Sequence, residues 1–332
     1  MSGVFYRRLS YLKPRSFTND SVTNTLRTSS VRYFSKTQTK NMKFVQFTYK
    51  QPSKGNDDLR VGYLEGNNVV DLNKVDSSLP TTLLALLRGG HLDKVKKLQS
   101  TNPTSVPLSS VTLAAPITGM DKVLCIGLNY KDHCTEQNLT PPPVPMMFSK
   151  FASCVIGPND PLKIRTKITQ KVDWEVELAV VIGKTTSSVK AANAFDYVLG
   201  YTVAQDISAR DWQKDKNAGQ FLLGKAMDTF CPIGPCIVTG DEIGDPQNLA
   251  IKSSLNGELK QNSRTDQLVH KIPDVIERLS SVMTLLPGDI ILTGTPGGVG
   301  MYRKPPQYLK PGDVLESEIE KIGVLTTRIV DA

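Results

Sequence analysis

The chain has 332 residues, 39% of them hydrophobic, which is enough to bury a sizeable core as one large domain with an extension or as two domains. Its formal net charge of +8 sits at one end: residues 1–40 carry eight Lys or Arg against the single acid Asp20, leaving 32 basic and 31 acidic side chains over the rest. A nearly neutral body argues against a broad nucleic-acid face, and no apolar run reaches the roughly 18 residues of a membrane-spanning helix, so neither partner is expected.

Residues 1–40 are rich in Ser and Thr and almost free of acids, the composition of a mitochondrial transit peptide, with the matrix as destination. Arg32-Tyr33-Phe34-Ser35 resembles a matrix-peptidase cleavage site, and a basic tail is the alternative. The five cysteines (Cys125, Cys134, Cys154, Cys231, Cys236) contain no C-x-x-C pair, and there are three His. That argues against a zinc cage or a disulfide framework and for reduced thiols.

In chain order, Lys43–Tyr49 reads as a strand, and 60–64 with 69–72 as a hairpin around Glu65-Gly66-Asn67-Asn68. Short helices are predicted over 81–87 and 92–98. Residues 43–115 thus form a small N-terminal α/β unit. From 120 to 332 the pattern predicts strands near 123–126, 174–182, 198–204, 236–239, 249–255, 289–292, 313–320 and 324–330. Turn sequences such as Leu286-Pro287-Gly288-Asp289 separate them. One helix is predicted over 274–283, with Val275, Ile276, Leu279, Val282 and Met283 on one face and Pro273 in its first turn. The fold class is α+β, β-dominated, a mixed β-roll or sandwich.

Residues 173–183 carry the main chemical signal. Strand alternation places Asp173, Glu175 and Glu177 on one face, and beyond Glu177 the strand is apolar on both faces, as in the interior of a fold. Carboxylates gathered there repel one another unless a cation joins them. Asp206, at the end of the strand Leu199 to Ala204, offers a third oxygen. Three carboxylates make a hard site that favours Mg²⁺, with Mn²⁺ or Ca²⁺ as alternatives. A solvated acidic face is the competing reading. In a helix, His133 and Glu136 would share a face as a candidate acid–base dyad. Arg210 and Gln213 share another, the Arg suited to a substrate carboxylate. Gly219 to Lys225 imitates a phosphate loop but lacks the hydroxyl after Lys225, so ATP binding is not expected. Thr293 to Gly300 is a Gly-rich loop that either receives a ligand or makes a plain connection.

These pieces, in their order and spacing over 120–332, resemble the fumarylacetoacetate hydrolase family: Gly127-Leu128-Asn129-Tyr130, the 173–183 run, Gly200-Tyr201, Ala209-Arg210-Asp211, Gly224-Lys225 and Thr293-Gly294-Thr295-Pro296. The resemblance implies a mixed β-roll, a homodimer, and Mg²⁺ on Glu175, Glu177 and Asp206. It also implies a small 2-oxo acid substrate that chelates the ion through its 1-carboxylate and 2-oxo group. His133 and Glu136 match the family's lid dyad, Lys225 its active-site lysine and Thr295 its substrate loop. Gln205 departs from the Asn, and Ala226 from the Ser, of many members. The family includes C–C bond hydrolases, oxaloacetate decarboxylases and keto–enol tautomerases. With a mitochondrial leader, oxaloacetate tautomerisation is the expectation. An acylpyruvate or fumarylacetoacetate-type hydrolase, a decarboxylase and a non-catalytic metal-binding protein are the alternatives.

Overall fold

The computed structural model describes residues 42–50 and 58–332; the basic leader expected over 1–40 lies outside them. Among the described residues a 12-stranded sheet dominates. Its path runs through Val106–Pro107, Asn68–Asp71, Arg60–Glu65, Lys43–Tyr49, Cys231–Thr239, Val198–Gln205, Val176–Ile182, Ile290–Leu292, Val123–Gly127 and Met146–Lys150. Val111–Ala114 and Val155–Ile156 pair alongside it. A second sheet holds Glu258–Arg264, Ala250–Leu255, Val314–Ile319, Gly323–Asp331 and Pro161–Ile164. The architecture is α+β and strand-rich, as the punctuated sequence predicts. No helix among the described residues is long and apolar enough to cross a membrane.

The Val176–Ile182 strand is buried at every position. Val176, Leu178, Val180 and Ile182 enter one core with Val275, Ile276 and Leu279 of the helix Ile272–Val282. Ala179 and Val181 enter another with Leu83 and Leu86 of the helix Leu83–Arg88. Each large aliphatic side chain so buried contributes about 1.5–3 kcal/mol. Register is therefore held from both faces, and the strand end that carries the acids has little freedom to slide.

The first strand, Lys43–Tyr49, pairs antiparallel with Cys231–Thr239, so the N-terminal strands prolong the central sheet. Two expectations need correction. Val282 is 75% exposed rather than on the buried helix face, because the helix ends there and Met283 is already extended. Cys231–Thr239 begins well before 236, its N-terminal half hidden in the sequence by Pro232 and Pro235. All five cysteines are free and buried.

Candidate metal centre and cavity

Antiparallel pairing builds the acidic cluster. Val176 lies opposite Gln205 and Glu177 opposite Ala204. Asp206, the next residue, donates its backbone N–H to the Glu175 carbonyl at 2.9 Å. One ligand oxygen each from Glu175, Glu177 and Asp206 therefore falls within 4.8 Å of the others, and all three residues are buried. Gln205 fixes the spacing. Its Oε1 accepts the Glu175 backbone N–H at 2.8 Å, and its Nε2 donates to Ser317 Oγ of the second sheet at 2.8 Å.

Asp173 does not join the cluster. The strand breaks between the short pair Val172–Asp173 and Val176–Ile182, so the expected common face is lost. Asp173 instead accepts from the Gly300 and Met301 backbone N–H groups and from Arg210 Nε at 2.8 Å, which braces the guanidinium.

Three buried cations face the acids. Lys225 Nζ lies 2.7 Å from both Glu175 Oε2 and Asp206 Oδ2. Lys150 Nζ lies 2.6 Å from Asp206 Oδ1 and donates to the Ile207 carbonyl at 3.0 Å. Arg210 Nη1 lies 2.6 Å from Glu175 Oε1 and 3.0 Å from Gln213 Oε1. Glu177 has no ion pair among the described residues; its Oε2 accepts only the Gly294 N–H, at 2.6 Å. That amide is aimed by Gly294, whose φ of +105° suits glycine and whose added Cβ would stand 2.8 Å from the Asn129 Cβ.

The electrostatics follow from these partners. Burial would raise the Glu175 carboxyl, but Lys225 and Arg210 hold it well below the usual carboxylate range. Burial pushes Glu177 far up, and the Asp206 and Glu175 charges add to this. Glu177 is thus the carboxylate of the three with no ion pair among the described residues, eased only by the Lys225 charge at longer range and by the Gly294 N–H. Three hard oxygens around such a gap fit a divalent cation.

A testable consequence concerns Glu177→Gln. A carboxyl whose pKa is raised in the folded state binds its proton more tightly there than in the unfolded chain. The metal-free protein therefore loses stability as pH rises above the ordinary carboxylate range. Glu177→Gln is expected to flatten that decline and to abolish the rise in Tm on adding a divalent cation. Tm measured against pH in chelator and in excess cation checks both; a retained cation shift would remove Glu177 from the ligand set.

A cavity of about 220 Å³ opens over the cluster, lined by Glu175, Glu177, Arg210, Gln213, Lys225, Thr295 and His133. Of the nine residues nominated from sequence, Asp206 lies beneath it with the other two acids and Glu136 lies behind His133. The helix Lys131–Glu136 carries the dyad: His133 Nδ1 is 2.6 Å from Glu136 Oε1, and Glu136 Oε2 accepts the Gly298 N–H at 2.8 Å. Arg210 Nη2 is buried with no hydrogen-bond partner among the described residues, an unsatisfied donor at the cavity wall. Thr295 lines the cavity with its hydroxyl engaged, donating to the Val176 carbonyl at 3.0 Å and accepting from Gln261 Nε2 at 2.8 Å. Sequence reasoning missed Lys150, Gln137 and Tyr302. Lys150 gives no local signal, since its partner Asp206 lies 56 positions away.

Residues 122–330 match the family model described as fumarylacetoacetate (FAA) hydrolase C-terminal. The chain is 48% identical over 293 residues to the Bos taurus protein named oxaloacetate tautomerase FAHD2A, mitochondrial, a match covering 88% of this chain and 92% of that one. It is 50% identical over 268 residues to the Xenopus laevis protein named oxaloacetate tautomerase fahd2, mitochondrial, covering 80% of this chain and 84% of the relative. Among solved structures it is similar to the fumarylacetoacetate hydrolase from psychrophilic Exiguobacterium antarcticum, with a TM-score of 0.75, 35% identity, and 88% of this chain and 100% of that one covered. It is also similar to maleylpyruvate hydrolase from Sphingobium sp. SYK-6 in complex with manganese (II) ion and pyruvate, with a TM-score of 0.71, 30% identity, and coverage of 88% and 100%.

Proposed function

The chain belongs to the fumarylacetoacetate hydrolase family, and from that premise we propose that it is a Mg²⁺-dependent oxaloacetate tautomerase converting enol- to keto-oxaloacetate. The observation that carries the reading is the meeting, in one cavity, of a buried carboxylate at Glu177 that has no ion pair with an unsatisfied guanidinium donor at Arg210. A 2-oxo acid meets both: its carboxylate answers the free Arg210 Nη2, and its chelating oxygens would answer a cation held by Glu175, Glu177 and Asp206.

When bound, the cation supplies Lewis acidity to the 2-oxo group. Mg²⁺ is the proposed ion because all three ligands are carboxylates, with Mn²⁺ and Ca²⁺ as comparators. The chain's own residues do the rest. Arg210, braced by Asp173 and Gln213, orients the substrate carboxylate. Ketonisation moves one proton from the enol oxygen to C3. Lys225 has three N–H donors and spends two on Glu175 and Asp206, so one remains for the cavity it lines. We assign it to give that third proton to C3 and to take the enol-oxygen proton in its place, so that it ends as it began. Phe148, whose ring centroid lies 4.9 Å from Lys225 Nζ, screens the amine from water.

A second reading, hydrolysis of acylpyruvates, is favoured by the His133–Glu136 dyad, the arrangement of a general base for water. The assay that decides is enol-oxaloacetate absorbance against time, with Mg²⁺ and with chelator. Metal-dependent acceleration of ketonisation is expected. No acceleration, with pyruvate released from acetylpyruvate instead, would replace the first reading by the second. The protein is further proposed to act in the mitochondrial matrix as a homodimer. Import of the leader of residues 1–40 fused to a reporter, and light scattering of the purified protein, test these two points.

A further inference from the structure

We propose that Gln137 selects the reaction by filling the water position of the dyad, so that this site tautomerises rather than cleaves; the inference rests on the tautomerase reading above.

The argument starts with hydrogen-bond valence. The Glu136 carboxylate only accepts, taking the Gly298 N–H on one oxygen and facing His133 Nδ1 at 2.6 Å with the other. The proton of the neutral imidazole is therefore on Nδ1, which leaves Nε2 as its one basic atom. Gln137 follows the dyad directly, capping the helix Lys131–Glu136. Its amide nitrogen lies 2.9 Å from His133 Nε2 and 3.2 Å from the His133 carbonyl oxygen. Both neighbours are acceptors, so this end of the amide must be the NH₂. The other end agrees: Gln137 Oε1 accepts the Tyr302 hydroxyl at 2.7 Å, and Tyr302 in turn accepts from Lys214 Nζ at 3.1 Å. Reversing the amide would set oxygen against oxygen at His133.

Gln137 and His133 line the same cavity as the acidic cluster. The amide thus occupies, at hydrogen-bond distance, the place from which a water would give its proton to Nε2. Hydrolysis of an acylpyruvate needs that water. It adds to the distal carbonyl and passes a proton to Nε2; the bond from that carbon to C3 then breaks, its electron pair stays on C3, and the proton is returned there. One carboxylic acid and one pyruvate result. Ketonisation needs no water, only the proton shift assigned to Lys225. An amide held at both ends therefore blocks one reaction and spares the other.

The test uses the purified protein with Mg²⁺, and acetylpyruvate and enol-oxaloacetate as separate substrates. Gln137→Ala and Gln137→Ser open the space and are expected to raise pyruvate release from acetylpyruvate relative to ketonisation by about 10-fold or more, the lower part of what a positioned general base contributes. Gln137→Met refills the space without an N–H and is expected to leave that ratio low. Melting curves establish that each variant is folded. Folded Ala and Ser variants that release pyruvate no faster than the parent overturn the inference, and so does a Met variant that matches Ala. A plain helix-capping role would move stability and leave the ratio unchanged. If the parent does not ketonise enol-oxaloacetate, the tautomerase reading fails by itself, while the gain of pyruvate release still decides the role of Gln137.

Discussion

Lys225→Met is expected to tighten divalent-cation binding while slowing ketonisation by about 10²–10⁴-fold, the span attributed to a positioned acid–base group. The two effects point in opposite directions for one reason. Lys225 Nζ bridges Glu175 and Asp206 at 2.7 Å each, so a positive charge already stands beside the oxygens that a cation would use. Removing it deepens the negative potential and empties the proton-holding position together. Without metal, the variant keeps two buried carboxylates with one cation fewer, which costs about 3–5 kcal/mol. Added Mg²⁺ is expected to recover much of this, since a ligand that binds only the folded state stabilises it. Calorimetric titration with Mg²⁺, Tm with and without Mg²⁺, and turnover are the three measurements. Weaker cation binding, or unchanged turnover, would contradict the assignment.

Lys150→Met is expected to cost up to about 3 kcal/mol of stability, the low end of the penalty for breaking a buried pair, because Asp206 loses the cation on one oxygen and keeps Lys225 on the other. Burial alone would lower the Lys150 amine, yet Asp206 raises it above its ordinary value, so it stays charged in the interior. Among the described residues it is the one cation on Asp206 Oδ1, and its second bond, to the Ile207 carbonyl, holds the turn that follows Asp206. Urea unfolding measures the loss. Lys190→Met is the control: its pair with Glu277 is largely solvated, and no measurable change is expected. A Lys150 variant as stable as that control would show that the buried pair is dispensable.

The acidic trio was legible because its signals are short in the chain. E-x-E at the start of an apolar run and an Asp at the end of the next strand need only hairpin-like pairing to meet, and Val176 opposite Gln205 provides it. The i and i+3 spacing of His133 and Glu136 made them a pair only on condition of a helix, and Lys131–Glu136 is that helix. Asp173 was misplaced because alternation assumes an unbroken strand, and the backbone turns after Asp173 to serve Arg210. Glu258–Arg264 was not recognised as a strand. Its sequence is almost wholly polar, and it exists through pairing with Ala250–Leu255, yet it delivers Gln261 to the Val176 N–H and to Thr295. Lys150 and Gln137 were invisible for a related reason: each is defined by what it touches, Asp206 in one case and the pocket-facing imidazole nitrogen in the other. The family resemblance nominated neither of these two.

Gln205 has a mechanical consequence. One end of its amide grips the Glu175 backbone and the other grips Ser317 in the second sheet, so the side chain works as a tie-rod between the two layers. Gln261 of the second sheet grips the neighbouring Val176 N–H in the same way, so a shift of one layer against the other reaches both Glu175 and the start of the strand that carries Glu177. The grip on the ion thereby becomes a strain gauge for the distance between the sheets.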